Sequence, residues 1–474
     1  MPEILKPDLC VIGAGSGGLS VAAAVAAMRV PVVLVERGEM GGDCLNHGCV
    51  PSKALIAAAH TAHAMRQAGK FGIGAPEPKT DFAAVQAHVR GVIAAIAPND
   101  SQARFVAMGV RVIRASARFA SPTRCEAGGY VIQARRFVIA TGSSPAPLPV
   151  EGMELVRPLT NETVFDLKEL PARLIIIGAG PMGIELAQAF RRLGSEVTVL
   201  EAGAALANVD SELSAPVLRQ LAAESVVVRE NVRIIRVEPR GSGVRLYLEG
   251  VRVEETVDGS HLLVAAGRTP NVHNLGLEAA GVQFDPRGIR VDGRLRTSNK
   301  RIYAIGDVAG QGQQTHLANY HAGLVVRAAL FRQSVEVQPQ MVPSAIFSDP
   351  EIASTGLSEA QARKIHRQIN VLRWPFSEND RAQAERATQG LVKVVTDRKG
   401  VILGAGICGA GAGDLIGIWA LAISKGMKIR DMAGVVLPYP TRGEIARRVA
   451  VTDYAASLRN PWLARALRFF RWFG

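Results

Sequence analysis

The sequence predicts an α/β fold containing two Rossmann-like dinucleotide-binding units, and three observations carry that prediction. A short apolar strand, Leu9–Ile12, runs into Gly13, Gly15 and Gly18 and then into an alanine-rich helix. The same order recurs from Leu174, with Gly178, Gly180 and Gly183. In both units the next strand ends in an acid 23 residues after the first glycine, at Glu36 and at Glu201. The glycines permit a tight turn and let a pyrophosphate approach the helix N-terminus. The acid is placed to hold a ribose hydroxyl. Two such sites in one chain imply a relay, in which one nucleotide brings reducing equivalents and the other holds them.

A length of 474 residues predicts roughly two to four domains, each with its own core. The net charge is +13. Arginine and lysine are scattered and no nucleic-acid motif accompanies them, so no nucleic-acid partner is expected. The first apolar run leads straight into Gly13 and reads as a strand rather than a leader. No uncharged run reaches the roughly 18 to 20 residues of a membrane span. Five cysteines make an odd number for a secreted disulfide framework. A cytoplasmic setting is expected, where a disulfide is catalytic or regulatory.

Two cysteines stand out. Cys44 and Cys49 lie five residues apart, downstream of the first glycine fingerprint. Five positions on a regular helix rise roughly 7.5 Å, and a disulfide needs Cα atoms within about 7 Å. The segment must therefore bend before it becomes helical. Gly48 permits the bend, and Pro51 suits a first helical turn. A thiolate at a helix N-terminus is stabilised by the helix dipole. Two other readings are buried free thiols and half of a zinc site with His47. A tetrahedral zinc site needs four ligands, and no second Cys/His pair supplies them, so no metal is expected. Cys10, Cys125 and Cys408 read as small core residues.

The segment 41–53, with Gly42, Cys44, Cys49 and Lys53, resembles the redox-active disulfide of the FAD-dependent pyridine nucleotide–disulfide oxidoreductases. That family includes dihydrolipoamide dehydrogenase, glutathione reductase and mercuric reductase. The resemblance extends from about residue 8 to residue 452. It implies FAD at the first fingerprint, held by Gly13, Gly15, Gly18, Glu36, Gly42 and Lys53. Further FAD contacts are implied at Ala117, at Thr141, Gly142 and Ser143, at Asp307, and at Leu317 and Ala318. The second fingerprint, with Gly178, Gly180, Gly183, Glu185, Glu201, Gly267 and Arg268, is implied to take NAD. Glu201 favours NADH over NADPH, because a carboxylate accepts from a ribose hydroxyl and repels a 2′-phosphate.

From about Met341 the pattern changes, and residues 343–356 resemble the start of the family's C-terminal interface domain. The implied organisation is 1–150 for FAD, 151–270 for NAD(P), 271–340 returning to the FAD domain, and 341–452 as an α+β dimerisation domain. A basic amphipathic tail, 453–474, follows. The implied activity passes electrons between NADH, FAD and a Cys44–Cys49 disulfide to a dithiol or disulfide, as in dihydrolipoamide dehydrogenase. Cys49 is implied to face the flavin and Cys44 to meet the substrate, with Lys53 and Glu185 paired beside the flavin.

One position departs from the pattern. The interface motif of the family reads His-Pro-Thr-x-x-Glu, and this chain has Tyr439-Pro440-Thr441 followed by Glu444. Histidine titrates near neutrality, whereas tyrosine has an ordinary pKa near 10 and is a poor base at pH 7. Tyr439 can still donate a hydrogen bond, and Glu444 is expected to orient it across a homodimer. The substitution opens a second reading: a mercuric reductase-like enzyme acting on thiophilic metal ions, or an NADH:quinone or other acceptor reductase. The cysteine pair that mercuric reductases carry near the C-terminus is not expected here, since the last cysteine is Cys408. An N-terminal metal-binding domain is likewise not expected. In the tail, Pro461 suits a helix start, and Leu463, Leu467, Phe470 and Phe473 share one apolar face. Arg465, Arg468 and Arg471 run beside it. Such a helix suits either an anionic membrane surface or its own dimer.

Overall fold

The computed structural model describes residues 2–249, 255–458 and 461–473. The chain forms two compact bodies. The larger comprises Met1–Ala179, Ala189–Ala202 and Arg229–Val337, and the smaller Gly180–Gln188, Gly203–Val228 and Gln338–Gly474.

The larger body is built on a five-stranded parallel sheet. Its spatial order is Ile302–Ala304, Arg136–Ile139, Leu9–Ile12, Val32–Glu36 and Arg111–Arg114. These strands are short apolar runs because both sheet faces are covered, as parallel sheets require. Leu9, Cys10 and Val11 are completely buried. Helices Ser16–Ala27 and Thr315–Phe331 pack together on one face. The approach is close because small residues meet there: a Cβ on Gly17 would lie 3.2 Å from that of Ala318. The other face is closed by an antiparallel sheet of Arg118–Ser121, Arg124–Ala127 and Tyr130–Ile132, joined by Glu3–Leu5. Cys10 and Cys125 are fully buried between these layers, and burial pushes both thiols up.

The second fingerprint repeats the device. Arg173–Ile177 pairs in parallel with Glu196–Leu200 on one side and His261–Val264 on the other. A three-stranded antiparallel meander, Ile234–Arg240, Gly243–Leu248 and Glu255–Gly259, packs its apolar alternation against this sheet.

The smaller body has a different plan. Five antiparallel strands lie in the order Ser344–Ile346, Glu351–Gly356, Ile402–Gly409, Leu391–Asp397 and Ile369–Pro375. Helices Ala412–Ser424 and Glu444–Leu458 cover one face around Trp419, Phe376 and Val449. Helix Ser211–Ala223 lies on the opposite side, with Leu213 filling the space that a side chain at Gly406 would occupy. Lys393, 5% exposed on the Leu391–Asp397 strand, is matched by carboxylates at 2.7 Å (Asp210), 2.5 Å (Glu212) and 2.8 Å (Glu359). The mixed α/β architecture with an α+β C-terminal part is the one the sequence predicts.

Candidate active site

The redox segment lies directly on the first glycine loop. Gly41 and Gly42 adopt left-handed φ values of 88° and 60°. A Cβ on Gly42 would fall 2.7 Å from the Gly15 backbone. Short helix Gly42–Asn46 carries Cys44, and helix Cys49–Gln67 begins at Cys49. Between them Gly48, at φ −124° and ψ −109°, breaks the helix as the spacing demanded. Pro51 sits in the first turn of the second helix, where its missing N–H leaves no bond unmade.

Cys44 is half-buried and Cys49, at the start of its helix, is the more exposed of the two. The Cys49 Sγ lies 3.3 Å from the Thr315 Oγ1. A hydrogen bond from Cys44, the Thr315 hydroxyl and the charge of Lys53 bring Cys49 down to about 6, against burial and the charge of Asp43. The same shared hydrogen bond, with burial, pushes Cys44 well above an ordinary thiol. The pair is therefore asymmetric, with Cys49 the more acidic thiol and Cys44 the less acidic.

A polar chain runs beneath this segment. The Asp43 Oδ1 accepts from Asn161 at 2.8 Å and faces the Arg268 guanidinium at 3.3 Å. Arg268 also donates to the Ser143 hydroxyl at 2.7 Å and to its carbonyl at 2.8 Å. The Ser143 hydroxyl in turn donates to Asp307 at 2.6 Å. Burial holds the Asp307 carboxyl above the ordinary range. Thr141 is fixed by Asn271, whose carbonyl accepts its hydroxyl at 2.8 Å. The Arg268 guanidinium, which the resemblance implies for the NAD site, is engaged here by Ser143 and Asp43. Gly267 takes φ +126°, which aims the chain back toward residues 143–145.

The first glycine loop fits an adenine dinucleotide. Gly13 takes φ +105°, and a Cβ there would lie 2.3 Å from the Ala140 carbonyl. A Cβ on Gly18 would lie 1.9 Å from the Gly13 carbonyl. Glu36 accepts from the Ala14 N–H at 2.5 Å and the Gly38 N–H at 2.6 Å, which fixes its carboxylate at the loop mouth. Leu317 and Ala318 occupy the first turn of Thr315–Phe331, and Ala318 also abuts Gly306. The side chain of Ala117 packs into the core. His321, fully buried, accepts from the Gly306 N–H at 3.3 Å and is held down to about 4 by burial, so it stays neutral.

The second loop copies the first. Gly178 takes φ +107° against the Ala265 carbonyl, and Glu201 accepts from the Ala179 N–H at 2.7 Å. Space is open above Gly180, and Gly183 lies within helix Pro181–Leu193. Glu185, on that helix, is 6% exposed, and its carboxylate accepts from the Phe347 N–H at 2.8 Å. In the smaller body Tyr439 is 67% exposed and donates its hydroxyl to Asp380 at 2.9 Å. That bond pushes the phenol above its ordinary value. Glu444, expected to orient Tyr439, opens helix Glu444–Leu458, and within one chain Asp380 does the orienting. Thr315, Asp43, Asn161 and Asp380 were not foreseen. Thr315 had one local signal, its place immediately before the 316–318 segment.

The chain matches the pyridine nucleotide-disulphide oxidoreductase family over residues 7–322. It matches the dimerisation domain of that family over residues 342–450. It is 35% identical to a dihydrolipoyl dehydrogenase of Bacillus subtilis, over 94% of this chain and 96% of that protein. It is equally 35% identical to a mercuric reductase of Streptomyces lividans, with the same coverage of 94% and 96%. Among solved structures, the Cu(II) complex of the HOCl-induced flavoprotein disulfide reductase RclA from Escherichia coli superposes with a TM-score of 0.84 at 25% identity. That likeness covers 94% of this chain and 99% of the other. The chain therefore belongs to the pyridine nucleotide–disulfide oxidoreductases, enzymes dependent on FAD and a nicotinamide nucleotide. Its dimerisation domain makes it a homodimer. Among the described residues no helix is long and apolar enough to cross a membrane.

Proposed function

We propose that this enzyme passes electrons between NADH and a dithiol or disulfide, small or protein-bound, through the Cys44–Cys49 pair. The observation that supports this reading is the placement of Cys44 and Cys49 on the two helices either side of the Gly48 bend, with the Thr315 hydroxyl 3.3 Å from the Cys49 sulfur. FAD supplies the two-electron link between nicotinamide and disulfide when it is bound. Residues 1–150 and 271–340 would hold it, and residues 151–270 would hold NADH, with Glu201 selecting against a 2′-phosphate. Two electrons and one proton convert the disulfide into the Cys44 thiol and the Cys49 thiolate. Cys44 gives up its proton and attacks one sulfur of a substrate disulfide. The first leaving thiolate takes that proton. Cys49 then attacks the Cys44 sulfur, which restores the Cys44–Cys49 bond and releases the second thiolate, protonated from solvent. The setting is the cytoplasm, with the C-terminal helix as a route to a membrane surface.

Tyr439 favours a second reading. Held as a donor to Asp380, it is a weaker proton acceptor than a free tyrosine and far weaker than a histidine. An acceptor that binds thiolates directly, such as a thiophilic metal ion, needs less of such a base. The names of the mercuric reductase relative and of the Cu(II) complex point the same way. Quinones form a further acceptor class of this kind.

Anaerobic titration with NADH tests the relay. A long-wavelength absorbance band that vanishes in Cys49→Ser is expected. Bleaching of the flavin with no such band would remove the cysteines from the electron path. Tyr439→His then separates the acceptors: a rise of about tenfold or more in lipoamide turnover would mark thiol substrates as poorly served by the natural residue.

A further inference from the structure

The C-terminal helix Pro461–Phe470 takes no part in the redox site. Proline opens it, as the first turn of a helix tolerates. Trp462, Phe470 and Phe473 are 72%, 65% and 74% exposed, and Leu467, Phe469 and Trp472 are exposed as well. Six large apolar side chains within twelve residues exceed what scattered surface hydrophobics explain. Trp462, Leu467 and Phe470 fall on one side of the helix, and Phe473 lies beyond its last residue, its ring edge-on to that of Phe469 with ring centres 5.1 Å apart. The side chain of Leu463, assigned to the same face by the sequence, lies outside the described residues. Arg465 and Arg468 lie on the other side, and Arg471 follows just past the helix end. The Arg465 guanidinium lies 5.0 Å from the Trp462 ring centre, at the boundary between the two faces.

Charge decides what this face meets. From Tyr454 to Gly474 there are four arginines and no acid. A second copy of this segment brings four more arginines and no acid, so the segment is a poor electrostatic match for itself. Nucleic acid offers negative charge but no apolar phase for Trp462, Leu467 and Phe470. A lipid surface offers both, with anionic headgroups for the arginines and acyl chains for the rings. Ten helical residues rise about 15 Å, half the hydrocarbon thickness of about 30 Å, so the helix can lie in the interface but not cross it.

We infer that residues 461–473 form an in-plane anchor selective for anionic lipid, which places this reductase at a membrane surface. The inference does not rest on the choice of electron acceptor. The full-length holoenzyme is to be floated with vesicles of phosphatidylcholine, and with vesicles of phosphatidylcholine mixed with phosphatidylglycerol. Binding to the mixed vesicles alone, weakened by salt, is the expected result. R465E/R468E/R471E is expected to bind about a hundredfold more weakly, from the contribution of each arginine near an anionic surface. W462S/F470S/F473S is expected to lose binding while keeping the charge. Unaltered NADH oxidation and dimer mass in both variants establish that they fold. Equal binding to both vesicle types would overturn the anionic selectivity. Absence of vesicle binding, with the apolar variant altering dimer mass, would assign the helix to the dimer instead. Retention on RNA without vesicle binding would overturn the proposal as well.

Discussion

Cys49 shows how one residue draws its chemistry from three directions. The helix start and Lys53, one turn on, are local in sequence, and Thr315 is 266 positions away. The pair and its glycine bend were legible because they are a steric requirement of short-range chain geometry. Thr315 was not, because only the tertiary fold brings it to the sulfur. The Cys49 pKa lies below that of an ordinary thiol, so the thiolate exists above the folded value and is lost below it. The long-wavelength absorbance of the NADH-reduced enzyme should therefore fade on acidification with a midpoint of about 6. Thr315→Val is expected to move that midpoint upward and Thr315→Ser to leave it in place. A midpoint unmoved in Thr315→Val would deny the hydroxyl its role. Arg268 makes a second case at this scale. Family order suggested a nicotinamide-side residue, whereas its hydrogen bonds join Ser143 and Asp43. Arg268→Met leaves Asp43 without its countercharge beside the half-buried Asp307. FAD retention is expected to weaken by about tenfold, a loss of about 1.4 kcal/mol, with little change in the KM for NADH. The opposite pattern, measured by flavin release and steady-state kinetics, would return Arg268 to the nicotinamide site.

Among the elements, the two glycine loops were the most legible, because strand, glycines, helix and terminal acid follow one another within some 25 residues, although Gly13 and Gly178 meet the distant Ala140 and Ala265 carbonyls. Gly178 combines a left-handed φ with an Ala265 carbonyl where a Cβ would stand. Gly178→Ala is expected to displace the loop by more than a rotamer change can absorb. A left-handed φ alone costs a non-glycine residue about 1–2 kcal/mol. The KM for NADH should rise at least about tenfold while the protein stays yellow, and simultaneous loss of flavin would mean that the two loops are not independent. The antiparallel sheet of the smaller body was legible only through resemblance, since its central pairing joins Glu351–Gly356 to the distant strand Ile402–Gly409. Its Lys393 cluster had no sequence signal at all: Asp210 lies 183 positions from Lys393. Glu212, held down to about 2 first by Arg373 and then by Lys393, adds stability above the ordinary carboxylate range. That stability is lost as pH falls from about 4.5 toward 2. Lys393→Met leaves Asp210, Glu212 and Glu359 clustered without their central cation, and a loss of about 3 kcal/mol is expected. A midpoint of chemical unfolding unchanged at pH 7 would show the cluster to be neutral for stability.

At the scale of the whole molecule, the order of motifs along the chain was legible, and the assembly was legible only through family. Tyr439 is exposed in one chain and hydrogen-bonded to Asp380, while the cysteines lie in the larger body. If Tyr439 serves the disulfide of the partner subunit, as the family resemblance implies, complementation should reveal it. Chains carrying Cys44→Ser and chains carrying Tyr439→Ala, given different affinity tags, can be isolated as mixed dimers. In such a dimer one site lacks both groups and the other keeps both, provided that Tyr439 acts across the interface. Disulfide turnover should then recover to about half of the wild-type rate, although each parent homodimer is slow. If Tyr439 instead serves its own chain, every site in the mixed dimer lacks one group and no recovery occurs. A Tyr439→Ala homodimer with full activity would exclude the residue from thiol chemistry altogether. That outcome would mean that the disulfide is turned over with no base at this position.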